Sequence, residues 1–406
     1  MQTNPEPAQR LQLVDALRGF SLAGIAIVHF MEQYLAGPPP EAFANYTQHN
    51  GFDGVLDIIA LILIRGKFFA LFSFLFGLSF VLQMERTQLR TGSDFRLRFA
   101  WRLVILFVIG LAHQCFYRGD ILTVFAMLGF PLLLFYRVAD KWIIAIAALL
   151  LLGLPRLLLQ VFQVSGMEFT DAANLHYWNT VKSGAFTDIA WLNTWNGFWM
   201  KMEFQFGVGS RGYQSFGWFL MGLLAGRLRF FEFAEAWRKL WRKLLFYGLA
   251  GFFGMIIVSV ITFGLLGEYL PQGLADFLGM SYFDWANIAL TCFYIGAFSL
   301  LFLKDKWQRR LLVFAPYGRM ALSNYVLQTL IGTAIFFSFG GALIGDFGNS
   351  ITMPLGIGVC VLQIWWSRRW LQVFRFGPLE WLWRSLTWFS WQPFRKETKL
   401  AKPEGN

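Results

Sequence analysis

The chain has 406 residues, of which 56% are hydrophobic, 19% aromatic and 15% charged, with a formal net charge of +11. A soluble domain carries about 25% charged residues, so this composition excludes an ordinary soluble fold and points to an integral membrane protein. The cations sit in short segments between apolar runs, with no basic stripe of a nucleic-acid-binding fold, which excludes nucleic acid and leaves membrane lipids as partners.

Spans are predicted at residues 15–34, 66–84, 101–118, 121–137, 142–162, 213–231, 244–266, 284–303, 318–339 and 350–367, each near the roughly 20 residues a spanning helix needs. They are continuous apolar runs, unlike the alternating strands of a membrane β-barrel. The fold class is therefore all-α and polytopic, with about ten transmembrane helices. Residues 1–370 form a single transmembrane domain and residues 371–406 an amphipathic, then disordered, tail. Alternating the connections between two sides gathers all but seven of the 35 Lys and Arg residues on one side; the exceptions are Arg65, Lys67, Arg118, Arg156, Lys182, Lys201 and Arg211. The cation-rich side is predicted to be cytoplasmic, with both termini there.

Along the chain, the first span carries Arg18 and His29 eleven positions apart. Eleven steps of about 100° return to nearly the same azimuth, so both side chains line one helix face, roughly 16 Å apart. Ionisable groups inside a membrane are functional candidates. His29 is a candidate general base, with Glu32 one turn on to orient it. The bland alternative makes Arg18 a helix anchor and His29 an interhelical hydrogen-bonding group.

Residues 53–64 read as a short amphipathic lead-in to the second span, which opens on Arg65 and Lys67. Two cations at an outer helix end need an offset: an anionic ligand, a lipid headgroup or the outer carboxylates. The third span repeats the first spacing with Arg102 and His113, which places His113 near the depth of His29. Asp120 opens the fourth span, where it either caps the helix or orients an imidazole. Residues 163–212 form the one large outer segment, and within it 186–206 reads as an interfacial helix rich in tryptophan. Asn324 and Gln328, four apart beside Tyr325, either bind substrate or join helices; Gly222 and Gly226 make a small-residue packing contact. Cys115, Cys292 and Cys360 form no disulfide framework. No metal-ligand cluster, Walker loop or nucleophile elbow is present.

Residues 15–19 with Gly24-Ile25, 66–77, His113 with Gly119-Asp120-Ile121-Leu122, 318–328 and 377–387 resemble the YeiB-like family of bacterial polytopic membrane proteins, a domain of unknown function. The Leu17-Arg18-Gly19…His29 segment is also similar to the first helix of type-3 membrane acyltransferases and, more distantly, to the heparan-glucosaminide N-acetyltransferase group. That resemblance implies a multi-pass protein of the bacterial cytoplasmic membrane that moves an acyl group from cytoplasmic acyl-CoA to an envelope sugar or lipid acceptor at the outer face. His29, His113, Asp120 and Glu32 would be catalytic, Arg18 and Arg102 would meet the donor phosphates, and Arg65, Lys67, Asn324, Tyr325 and Gln328 would meet substrate. Many YeiB-like chains carry Asn where this one has His29, which favours His113. The alternative from another class is a transporter or lipid- or small-molecule-binding membrane protein.

Overall fold

The computed structural model describes residues 11–92, 94–164 and 170–396. Those residues are helical, apart from turns and one isolated bridge between Phe374 and Arg395. In order they form α1 (Gln12–Met31), α2 (Gly51–Leu63), α3 (Lys67–Thr91), α4 (Arg96–Gln114), α5 (Leu122–Phe135), α6 (Asp140–Leu151), α7 (Leu154–Val161), α8 (Asp171–Ser183), α9 (Phe186–Thr194), α10 (Asn196–Phe206), α11 (Arg211–Arg227), α12 (Arg238–Leu266), α13 (Gln272–Phe302), α14 (Asp305–Leu311), α15 (Ala315–Arg319), α16 (Ala321–Phe336), α17 (Asn349–Val373) and α18 (Pro378–Trp388). The polar end of the tail, residues 397–406, lies outside the described residues.

Among the described residues six helical stretches are long and apolar enough to cross a membrane: α1, α2 with α3, α4, α12, α13 and α17. The protein is therefore a helical membrane protein. Residues 142–162 depart from expectation. They are two helices, α6 and α7, bent by 54°. Gly153 between them adopts φ +91°, and Pro155 opens α7. A left-handed glycine ends one helix and a proline near the start of the next cannot continue the first. Helices α5, α11 and α16, with 14, 17 and 16 residues, are shorter than the roughly 20 residues a straight span requires.

Helix α1 is the centre of the fold: most of its residues are buried, whereas α12 is apolar all round and largely exposed. Close packing around α1 depends on glycine pairs. A Cβ on Gly318 of α15 would strike the Asp15 carbonyl oxygen, and one on Gly19 would strike that of Phe314. Likewise Gly222 of α11 and Gly77 of α3 leave room for each other's backbones at the Phe74 and Phe219 carbonyls, the small-residue contact expected for Gly222.

Between residues 171 and 206 the chain forms three helices, α8 to α10, and the 186–206 stretch breaks at Trp195. Trp191, Trp195 and Trp199 are all exposed, as an interfacial belt requires. Helix α18 folds back under α4, where Trp101 Nε1 donates to the Leu386 carbonyl (3.1 Å) and Trp383 Nε1 to that of Arg102 (2.8 Å).

Candidate functional site

Helix α1 presents Arg18 and His29 to one cavity of about 820 Å³, as their common azimuth requires. The cavity runs from the end where α1 begins and α18 docks, the terminal end, to the opposite, far end. Its middle is walled by Ile25, Phe68, Phe69, Phe72, Phe76 and Phe125.

At the terminal end Arg18 donates to Asp15 Oδ1 (2.9 Å) and Ser79 Oγ (2.8 Å). The Arg102 guanidinium stacks on Trp383, 3.7 Å from the ring centroid, in a cation–π contact. Arg319 and Arg384 line the same end. Glu380 of α18 accepts from the backbone N–H of Leu322 (2.7 Å) and Ser323 (3.0 Å) and from the Ser323 hydroxyl, and so caps α16 from another element. Burial raises the Glu380 carboxyl above its ordinary range, against the opposing pull of its hydrogen bonds from Ser323. This end was underread from sequence: residues 377–387 stood out, yet only the fold places Glu380, Trp383 and Arg384 against Arg18 and Arg102.

Midway lie the two histidines. His113 Nδ1 is 2.8 Å from Asp120 Oδ1, and both residues are buried. Asp120 also accepts from the N–H groups of Leu122 (3.1 Å) and Thr123 (2.9 Å), so it caps α5 and orients the imidazole at once. An ionised Asp120 only accepts, which assigns a proton to Nδ1; in the neutral imidazole the lone pair then lies on Nε2. Nε2 is buried and unpartnered. Lys201 of α10 completes the group, 3.8 Å from Asp120 Oδ2 and donating to Gln114 Oε1 and Thr123 Oγ1 (both 2.6 Å). Burial lowers the Lys201 ammonium to about 8, although Asp120 pulls it upward.

His29 lines the cavity, is partly exposed, and has its Nδ1 buried without a partner. Its ring packs on Tyr34, Tyr117 and Tyr325 at 5.4, 5.2 and 6.3 Å between centroids. His113 meets the same Tyr117 and Tyr325 at 6.4 and 5.0 Å. The repeated Arg–His spacing thus brings both imidazoles to one pair of tyrosines, of which only Tyr325 had been singled out.

Glu32 does not orient His29. Its carboxylate accepts from Arg65 Nε (3.1 Å), and Arg65 also pairs with Asp57 (2.9 Å), so two carboxylates offset that cation. Lys67 is buried off the cavity wall, donating to the Leu61 carbonyl (2.6 Å). Asn324 and Gln328 also lie off that wall and join helices. Asn324 Nδ2 donates to the Tyr317 carbonyl (3.2 Å) and Ser367 Oγ (2.8 Å), while Gln328 accepts at its carbonyl from Tyr34 and at Oε1 from Tyr317. Of that trio, Tyr325 alone reaches the cavity. Arg118, Lys201 and Arg211 reach it too, and sequence had marked them only as cations on the sparse side.

Residues 225–390 match the family model described as "Protein of unknown function (DUF418)". The chain is 31% identical over 412 residues to the uncharacterized protein YxaH of Bacillus subtilis, covering 97% of this chain and 98% of that one. It is 28% identical over 400 residues to an uncharacterized 39.9 kDa protein in the amylase 3' region of Bacillus acidopullulyticus, covering 94% of each. It is 26% identical over 422 residues to the uncharacterized protein YeiB of Escherichia coli, covering 93% of this chain and 96% of that one. No solved structure matches.

Proposed function

The chain belongs to the YeiB-like DUF418 family, and on that premise we propose that it is an acyltransferase of the bacterial cytoplasmic membrane with ten crossings and both termini inside. The terminal end of the cavity then faces the cytoplasm and the far end faces outward. Arg18 and Arg102 hold the phosphates of an acyl-CoA co-substrate, as guanidinium groups do, and the phenylalanine-walled middle takes the acyl end. A cavity of about 820 Å³ is in the usual range for such ligands. His29, on the cavity wall, takes the proton from an acceptor hydroxyl or amine as that group attacks the thioester carbonyl. The C–S bond breaks, and the imidazolium returns the proton to the leaving thiolate. The acceptor is an envelope sugar or lipid entering from the outer side. His113, enclosed and held by Asp120, is a positioning residue behind Tyr117 and Tyr325.

The observation that carries the reading is the position of His29 on the wall of one cavity that also holds Arg18 and Arg102. The test is acyl transfer by purified protein in proteoliposomes with labelled acyl-CoA. His29→Asn keeps hydrogen bonding but loses the base, and should lower transfer about 10²–10⁴-fold. Full activity in His29→Asn with loss in His113→Ala moves the base to His113; transfer retained in both ends the proposal. A second reading, a lipid or small-molecule conduit, draws on the continuity of the cavity between cations at both ends, and predicts ligand passage without transfer.

A further inference from the structure

On the cation-poor side most basic groups have a nearby acid. Arg65 pairs with Glu32 and Asp57, Arg156 and Arg211 share Asp284, Lys182 pairs with Asp346, and Lys201 lies near Asp120. Lys67 has a carbonyl oxygen. Arg118, like Lys67, has no acid beside it, but it is a guanidinium with one nitrogen left over. It lies in the turn between α4 and α5, only 4% exposed, and has no carboxylate partner among the described residues. Nε donates to the Leu35 carbonyl (2.8 Å), Nη1 faces the weakly accepting Met200 Sδ (3.8 Å), and the guanidinium stacks on Tyr177 at 3.6 Å. Nη2 is buried and unpartnered.

A guanidinium stays charged, and leaving one buried without a counter-charge is costly. The surroundings keep space for a partner. Gly37, at φ +139°, closes over the group, and a Cβ there would sit 2.9 Å from Nη2. Arg118 lines the far end of the cavity beside Lys201, Arg211 and the Arg65–Glu32 pair, and among these described residues it alone brings a charge with no acid against it, which favours an anion. From there the wall runs inward along Phe68, Phe69 and Phe125, which suits a hydrocarbon chain.

We infer that Arg118 is the receptor for a phosphate group entering the far end of the cavity, carried either by a lipid whose chain lies along the phenylalanines or by a soluble phosphate ester. Binding there is independent of whether an acyl group is transferred. On the acyltransferase reading this site defines the acceptor as a phosphate-bearing compound.

The full chain in detergent would be titrated with dioleoylphosphatidylglycerol against dioleoylglycerol, and with glycerol 1-phosphate against glycerol, read by native mass spectrometry and thermal shift. At least one phosphate probe should bind more tightly than its neutral counterpart. Preference in the lipid pair alone marks an amphiphile; preference in both pairs marks the phosphate as sufficient. Arg118→Gln should weaken that binding about 10- to 100-fold, the range for a charge-assisted hydrogen bond. Should Arg118→Gln fail to fold, Met200→Glu serves instead: it supplies an internal carboxylate beside Nη1, and should raise the melting temperature while abolishing phosphate preference. No preference in the wild type, or undiminished preference in folded Arg118→Gln or Met200→Glu, overturns the site. Loss of transfer in His29→Asn with phosphate binding intact separates this inference from the catalytic one.

Discussion

His113 and Asp120, seven residues apart across the turn that joins α4 to α5, are hydrogen-bonded at 2.8 Å in an almost fully enclosed setting. The same carboxylate caps α5 and lies 3.8 Å from Lys201, so it joins the turn to α10.

Asp120→Ala should therefore be costly in more than one way. It leaves the Lys201 charge buried without its acid and uncaps α5, and removing one partner of a buried pair costs about 3–5 kcal/mol. The double variant Asp120→Asn with Lys201→Met should recover part of the melting temperature lost in Asp120→Asn alone. Additive losses in that cycle would show that the two groups do not interact.

The Lys201 ammonium, lowered to about 8 from an ordinary value of 10.5, sets a pH dependence. Between about 8 and 10.5 the unfolded chain binds more protons at this group than the folded one, so its contribution to stability rises with pH across that window. Melting temperatures of wild type and Lys201→Met from pH 7 to 10.5 should diverge, with the relative rise in the wild type only. Parallel curves would place the titration elsewhere.

Glu380 works in the opposite sense, because burial raises its carboxyl. The folded state holds the proton more tightly, so this group's contribution falls as pH rises from its ordinary value, near 4.5, through the raised one. Glu380→Ala also removes the cap of α16, a loss of about 0.5–2 kcal/mol, and should loosen α18 to proteolysis. An unchanged digestion pattern would mean that α18 is held by Trp101 and Trp383 alone.

Gly318→Ala drives a methyl group into the Asp15 carbonyl oxygen beside Arg18. Overpacking of this kind typically costs 1–3 kcal/mol. On the acyltransferase reading acyl-CoA binding should weaken along with stability, and Arg18→Gln, which leaves the glycine contact intact, should also weaken binding, more strongly at low ionic strength. Wild-type melting in Gly318→Ala would show that α1 and α15 can separate.

Reporter fusions at residues 175 and 235 should report opposite compartments, outer and cytoplasmic respectively. A shared compartment would break the ten-crossing arrangement.

Periodicity and composition were enough for the helical membrane class, because a spanning helix satisfies its own backbone hydrogen bonds and shows as a long apolar run. The Arg18–His29 face was legible for the same local reason: azimuth along a helix follows from spacing alone. The bend at Gly153 and the break at Trp195 were missed, since one residue's backbone angles change little in a hydropathy profile. Partner choice was beyond the sequence altogether. Glu32 stands one turn from His29 yet pairs with Arg65, 33 positions on, and Asn324 and Gln328 turn toward α15, α17 and the turn after α1, away from the cavity wall. Arg118 reads like any other cation of the sparse side until the fold shows that, among the described residues, no carboxylate pairs with it. Hydrogen bonds between side chains depend on distances between helices, and those are decided by glycine contacts such as Gly19 with Gly318 and Gly77 with Gly222, which form only when the helices pack.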